Sequence, residues 1–241
     1  MLAYVRLEMM RLFRDGGYLF MTLITPVAMY LVFTNLKMGA TDGHDSARYS
    51  MVGMAGFGAV GAALTNGIGV AEDKTLGWIR QLRLLPLSPP RVVLGRTMCA
   101  MVVAVPPIVA VCLAGAVVNG VSLSIGRWAA VIGLLWLGIA PVALLGMGIG
   151  YRLGAQNAQA AGAFCYFGLS LVGGLWFPVT LFPHWLSSVS ELTPINRYGE
   201  LSWRVVDGHA PSLTGAAVLA AWAAGFTAFA VLAYRHSARA T

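Results

Sequence analysis

Six stretches of this chain, at about 18–36, 50–71, 98–119, 128–150, 157–177 and 213–234, are apolar for roughly the twenty residues that an α-helix needs to cross a bilayer. Only 10% of the residues are charged and 58% are hydrophobic, whereas a soluble domain carries about 25% charged residues. A surface so poor in charge suits lipid as the solvent. The expected fold is therefore all-α: a polytopic membrane protein with six transmembrane helices, forming one transmembrane domain over residues 1–241.

Ahead of the first span, Leu2, Val5, Met9, Leu12 and Phe13 fall on one helical face and Glu8, Arg11 and Asp15 on the other. Residues 1–17 thus read as an amphipathic helix lying on the membrane surface, and Gly16-Gly17 lets the chain turn into the first span. No small-residue cleavage site follows the apolar run, so this is not read as a cleavable signal. An even number of spans puts both termini on one side. Eleven Lys and Arg residues fall on that side and five on the other. Basic residues concentrate in the cytoplasm, so both termini and Lys74 are expected inside, with His184 and Arg197 outside. The net charge of +7 is then an orientation signal, and no nucleic-acid partner is needed to explain it. Lys is rare beside abundant Arg, Ala and Gly, which hints at a GC-rich bacterial genome; the expected location is a bacterial inner membrane.

Pro26, Pro106-Pro107 and Pro141 lie inside spans, where each removes a backbone hydrogen bond and kinks the helix. Small residues recur every fourth position: Ala216, Ala220, Ala224 and Ala228, and Ala217, Ala221 and Gly225, in the sixth span; Gly154, Ala158 and Gly162 at the fifth; Gly146 and Gly150 in the fourth. Such ladders let helix backbones approach closely, here within one subunit. The fifth apolar run is too long. A helix from Asn157 to Leu186 would reach about 45 Å against a hydrocarbon core of about 30 Å. Pro178 and Pro183 stand within it, so the span is expected to end near Phe177. Residues 178–212 then form a partly re-entrant extracellular hairpin and loop, with Trp185, Tyr198 and Trp203 at the headgroups. Glu191, Asn196, Arg197 and Glu200 face the exterior.

Between the second and third spans stands "EDKTLGWIRQLRLLPLSPPR", Glu72 to Arg91, carrying six charges. As a helix it gathers Leu76, Ile79, Leu82 and Leu85 on a broad face with Trp78, while Asp73, Lys74, Arg80 and Arg83 decorate the rest. Pro86 and then Pro89-Pro90 stop it. It is too polar to cross; a segment resting on anionic lipid and a helix seated in a protein groove both fit such a face.

The segment resembles the first cytoplasmic loop of ABC-2-type transporter permeases. That family shows an acidic residue, a Gly shortly after, and a Leu-Pro-Leu-Ser run before a basic helix; here these are Glu72, Gly77 and Leu82–Ser88. The N-terminal helix with Arg6, Arg11 and Arg14 resembles the family's connecting helix. The run "LWFPVTLFPHWLSSVSELTPINRYGE", from Leu175 to Glu200, is similar to its extracellular hairpin. The resemblance covers nearly the whole chain, and its daunorubicin-resistance-type drug-efflux branch looks closest. It implies that residues 72–91 are a coupling helix seated on a separate ATPase subunit, with Glu72, Gly77, Leu82 and Pro86 matching the motif. Trp78 and Arg80 join them from the amphipathic pattern. It also implies two ATPase subunits per complex and a second permease copy, identical or related. Spans 2 and 5 of the two copies would face a central cavity, offering Thr65, Asn66, Phe164, Tyr166, Phe167, Ser170 and Trp176 to a substrate. Aromatic and weakly polar groups suit a hydrophobic or amphipathic, drug-like molecule.

The missing motifs agree with energy supplied by a partner. No GxxxxGK[ST] loop cradles phosphates, so no cofactor is expected on this chain; ATP and Mg²⁺ belong to the ATPase. No catalytic residues are expected. Cys99, Cys112 and Cys165 sit in apolar runs without metal-site spacing. All nine acidic residues lie in loops or at span ends, whereas ion-driven transporters bury an ionisable group at mid-membrane. The rival readings are a lipid or polysaccharide exporter permease and, from another class, an intramembrane enzyme or structural membrane protein.

Overall fold

The computed structural model describes Gly17 and residues 20–36, 43–75 and 89–239. All regular structure among them is helical. The expected surface helix over residues 1–17 lies outside the described residues, apart from Gly17, as does most of the charged segment.

The described residues form six consecutive helical stretches, or passes, in chain order. A π-helical turn (Phe20–Ile24) leads into α1 (Thr25–Asn35). The second pass is α2 (Gly43–Ile68) continued by the short α3 (Val70–Thr75). The third is α4 (Pro89–Val103) and α5 (Val105–Val118), the fourth α6 (Ile125–Gly138) and α7 (Ala140–Arg152). The fifth is α8 (Ala155–Val172). A 3-10 turn (Val179–Leu181) precedes two short helices, α9 (His184–Leu192) and α10 (Pro194–Val206), and α11 (Leu213–Arg239) makes the sixth pass.

The prolines act where their chemistry says they should. The third pass breaks at Ala104, with Pro106 in the first turn of α5, and the fourth breaks at Ile139, with Pro141 in the first turn of α7. A helix restarts easily there, because the first N–H groups of a helix have no intrahelical acceptor to lose. The Trp136 indole donates to the Met101 carbonyl at 3.1 Å, beside the first break.

Among the described residues, four helical stretches are long and apolar enough to cross a membrane: Ser46–Lys74, Val92–Val118, Ile125–Arg152 and Leu213–Ser237. The other two expected spans are helical but fall short of that standard. Thr22–Asn35 is apolar and too short, and α8 spends its first turn and a half on Gln156, Asn157 and Gln159.

The second pass is the axis of the molecule. Its most apolar stretch is 83% buried within the chain, against 17% for α11, and α2 packs against α1, α4, α5, α6, α7, α8 and α10. It meets α7 backbone to backbone. A Cβ on Gly67 would lie 2.8 Å from the Met147 backbone nitrogen, and one on Gly150 would lie 2.8 Å from the Gly67 carbonyl oxygen. The Gly146–Gly150 pair read from the sequence is thus a crossing inside one chain. The ladders of the sixth span are different. Ala216, Ala217, Ala220, Ala221, Ala224, Gly225 and Ala228 are all exposed, and a Cβ on Gly225 would meet nothing within 4 Å. The expectation of packing within one subunit is corrected there. α11 instead buries Leu219, Ala230, Ala233 and Tyr234.

Residues 178–212 differ from a simple surface hairpin. α10 buries Ile195, Tyr198, Leu201, Val205 and Val206 on one face, packed on α6, α2 and α11. Tyr198, expected among the headgroups, is fully buried. Its ring is wedged between Gly56 of α2 and Gly138 at the α6–α7 break, where a Cβ would come within 3.0 and 2.8 Å of it. Asn196, expected to face outward, is 7% exposed and donates to the Gly173 carbonyl at 3.3 Å. Trp185 does stay 68% exposed.

Candidate functional site

At one end of the bundle the second pass closes with three consecutive charged residues. Successive residues on a helix are turned by about 100°, so Glu72, Asp73 and Lys74 point to three neighbours. Glu72 accepts from Gln159 of α8 at 3.2 Å. Asp73 pairs with Arg96 of α4. Lys74 Nζ donates to the carbonyls of Gly150, Tyr151 and Leu153 at 3.4, 2.8 and 3.1 Å. The last carbonyls of a helix lack intrahelical donors, and a cation there also meets the negative end of the helix dipole. Of the residues expected to contact an ATPase, Glu72 stands here, exposed at the start of the segment. Gly77, Trp78, Arg80, Leu82 and Pro86 lie outside the described residues.

Between the two ends, aromatic rings from three passes gather around Phe57. Tyr166 stacks on it with centroids 4.4 Å apart and planes at 12°, and Trp176 meets it edge-on at 5.4 Å. Phe167 lies 5.0 Å from Tyr166 and 6.2 Å from Trp176. Phe33 of α1 extends the group to Trp176 and Phe177. Such offset and edge-on pairs contribute about 0.5–1.5 kcal/mol each beyond area burial. Tyr166, Phe167 and Trp176 are therefore brought together, with Phe57 at their centre, a residue the sequence reading passed over. Its signal was the i, i+4 series Phe57–Gly61–Thr65 on one face of α2, in which Gly61 leaves room for the Tyr166 hydroxyl. Thr65 ends this face and is exposed; Asn66, half-buried, is turned about 100° from Thr65 and lies on the opposite side of α2 from Phe57. Ser170 is fully buried, away from any open surface. Phe164 is 81% exposed and Phe167 52%; with Leu171 they form an apolar stripe along the outer face of α8.

The opposite end is closed by α9 and α10. Gly174, in the left-handed region at φ +80° where a side chain would be strained, turns the chain out of α8. The carbonyls around that turn are taken up by side chains. Ser190 Oγ donates to Val172 at 2.6 Å, Asn196 to Gly173, and the Tyr49 hydroxyl to Gly174. Tyr49 stacks on Trp203 at 4.6 Å and 5°, and the Trp203 indole donates to the Tyr49 carbonyl at 3.1 Å. Arg197 is held by Glu200 at 2.5 Å. Among the described residues no three His, Cys, Asp or Glu side chains come together as a metal site.

In sequence the chain is similar to known proteins. The family model described as ABC-2 type transporter matches residues 1–201. The chain is also 29% identical over 220 residues, 89% of each chain, to a Bacillus subtilis (strain 168) protein named "Putative transport permease YvfS".

Proposed function

This chain belongs to the ABC-2 type transporter family, and on that premise we propose that it is the membrane subunit of an ATP-driven exporter of hydrophobic or amphipathic, drug-like molecules. The family is a transport component of membranes that works with ABC ATPase partners. In our reading two ATPase subunits serve a pair of permease chains in a bacterial inner membrane, and hydrolysis takes place wholly on the ATPases, which hold ATP and Mg²⁺. The observation that carries the proposal is the origin of the charged segment. It leaves the bundle from the most buried of the four long apolar stretches among the described residues, at the end opposite α9 and α10. A partner that displaces residues 76–88 therefore acts directly on the axis of the bundle. Closure of the ATPases on ATP would push this segment, and the second pass would carry the push toward the aromatic group at Phe57. Phe57, Tyr166, Phe167 and Trp176, with exposed Phe164, offer π faces and few hydrogen-bonding groups, which suits a largely apolar substrate. Thr65 would meet it nearer the Lys74 end.

Inverted vesicles containing the chain and its ATPase should accumulate doxorubicin or Hoechst 33342 only with ATP, and the purified chain alone should hydrolyse no ATP. Turnover by the isolated chain, with contaminating ATPase excluded by mass spectrometry, would refute the division of labour. Transport of lipid-linked glycan in place of both dyes would shift the reading to the lipid and polysaccharide exporters.

Orientation is tested separately. In a background with all native cysteines replaced, His184→Cys should react with a membrane-impermeant maleimide in intact cells. Arg152→Cys, exposed at the Lys74 end, should react only after permeabilisation. The reverse pattern would invert the topology.

A further inference from the structure

We propose that Glu72, Asp73 and Lys74 form a three-way clasp that divides the movement of the following segment among three passes. The inference deepens the reading above and rests on residues 72–91 being the coupling segment. Each of the three residues holds a different helix: Glu72 holds α8 through Gln159, Asp73 holds α4 through Arg96, and Lys74 holds the end of α7. They lie within α3, a separate short helix set off from α2 at Gly69. A rotation or shift of α3 must move all three contacts at once, or break them.

The bonds differ in kind, and so should their behaviour. The Lys74 ammonium has three donors and meets three carbonyls, an attachment to backbone that does not depend on a partner side chain. Asp73 and Arg96 form an ion pair with side chains 26% and 14% exposed. Glu72 and Gln159 form a solvent-facing hydrogen bond, the weakest of the three. Asp73, Lys74, Arg96 and Gln159 are thus positioning residues. Their part is to set which helices answer when the ATPase moves.

Hydrogen exchange read by mass spectrometry on the full permease–ATPase complex in lipid nanodiscs, without nucleotide and with ATP plus vanadate, tests this helix by helix. In the wild type, nucleotide should change exchange at the Lys74 end of α4, α7 and α8. Lys74→Met should abolish the change in α7 and leave it in α4 and α8. Asp73→Asn should abolish it in α4 alone, and Gln159→Met in α8 alone, with the ATPase co-purifying in every case. Gln159 is exposed, so this last variant carries the test if Lys74→Met does not fold. A variant that silences all three helices, leaves its own helix responding, or releases the ATPase overturns the clasp. A wild-type complex without nucleotide response in any helix overturns the coupling reading itself, before any variant is made.

Discussion

Leu82→Asp is expected to release the ATPase from the permease without unfolding it. On the amphipathic pattern of residues 76–85, Leu82 lies at the centre of the apolar face proposed to enter the ATPase. A carboxylate there would be buried against a partner with nothing to pair it. Such a charge costs several kcal/mol; about 3 kcal/mol corresponds to roughly two orders of magnitude in affinity. The helical passes should be unaffected, because position 82 follows Thr75, the last residue of the second pass, in the chain. Co-purification of the ATPase with wild-type and mutant permease measures the first effect, and thermal unfolding of the permease in detergent measures the second. A segment that only rests on anionic lipid predicts the contrary outcome: weaker surface attachment, an intact complex and normal ATP turnover. Retention of the ATPase by Leu82→Asp would remove residues 72–91 from the coupling role.

Gly67→Leu is expected to destabilise the bundle strongly. The first atom added at Gly67 already falls 2.8 Å from backbone atoms of Gly146 and Met147. Backbone in the middle of a helix cannot swing aside as a flexible side chain does, so α2 and α7 must separate along their crossing. Overpacking of this kind typically costs about 1–3 kcal/mol and occasionally more. The upper end of that range, about 3 kcal/mol, is expected because the crossing lies on the axis of the bundle. The matched control is Gly225→Leu on α11, where a Cβ meets nothing within 4 Å; it should unfold at the wild-type temperature. Equal thermal stability of the two variants in detergent would show that the α2–α7 contact is looser than its geometry implies.

The family resemblance was legible in the sequence because it rests on local features: Glu72, Gly77 and the Leu-Pro-Leu-Ser run, read in order along the chain. The matched residues 1–201 bear it out. The site was legible only in part. Tyr166, Phe167 and Trp176 could be named as aromatics of one apolar run, but Phe57 stands on a different pass, far from them along the chain, and no pattern in either segment says that they stack. The partners of Glu72, Asp73 and Lys74 are hidden in the same way, since each belongs to a different helix.

What the sequence determined by itself is whatever one segment decides against its solvent. Apolar length is matched to bilayer thickness, so four spans could be counted off beforehand, whereas Thr22–Asn35 and α8 fall short of that standard among the described residues. A proline breaks its own helix wherever the fold puts it, so the interruptions at Ala104 and Ile139 could be read beforehand. Only the tertiary structure decided which face of each helix meets a neighbour. In lipid the hydrophobic effect does not drive one apolar helix onto another, and pairing is chosen by shape and hydrogen bonding. The alanine ladders of α11 and the glycines of α2 and α7 are alike as patterns, yet the first lie exposed and the second hold the crossing at the core. Tyr198 carries the same lesson. Its amphipathic chemistry suits a headgroup region, but the space left by Gly56 and Gly138, on helices distant in sequence, draws its ring into the interior.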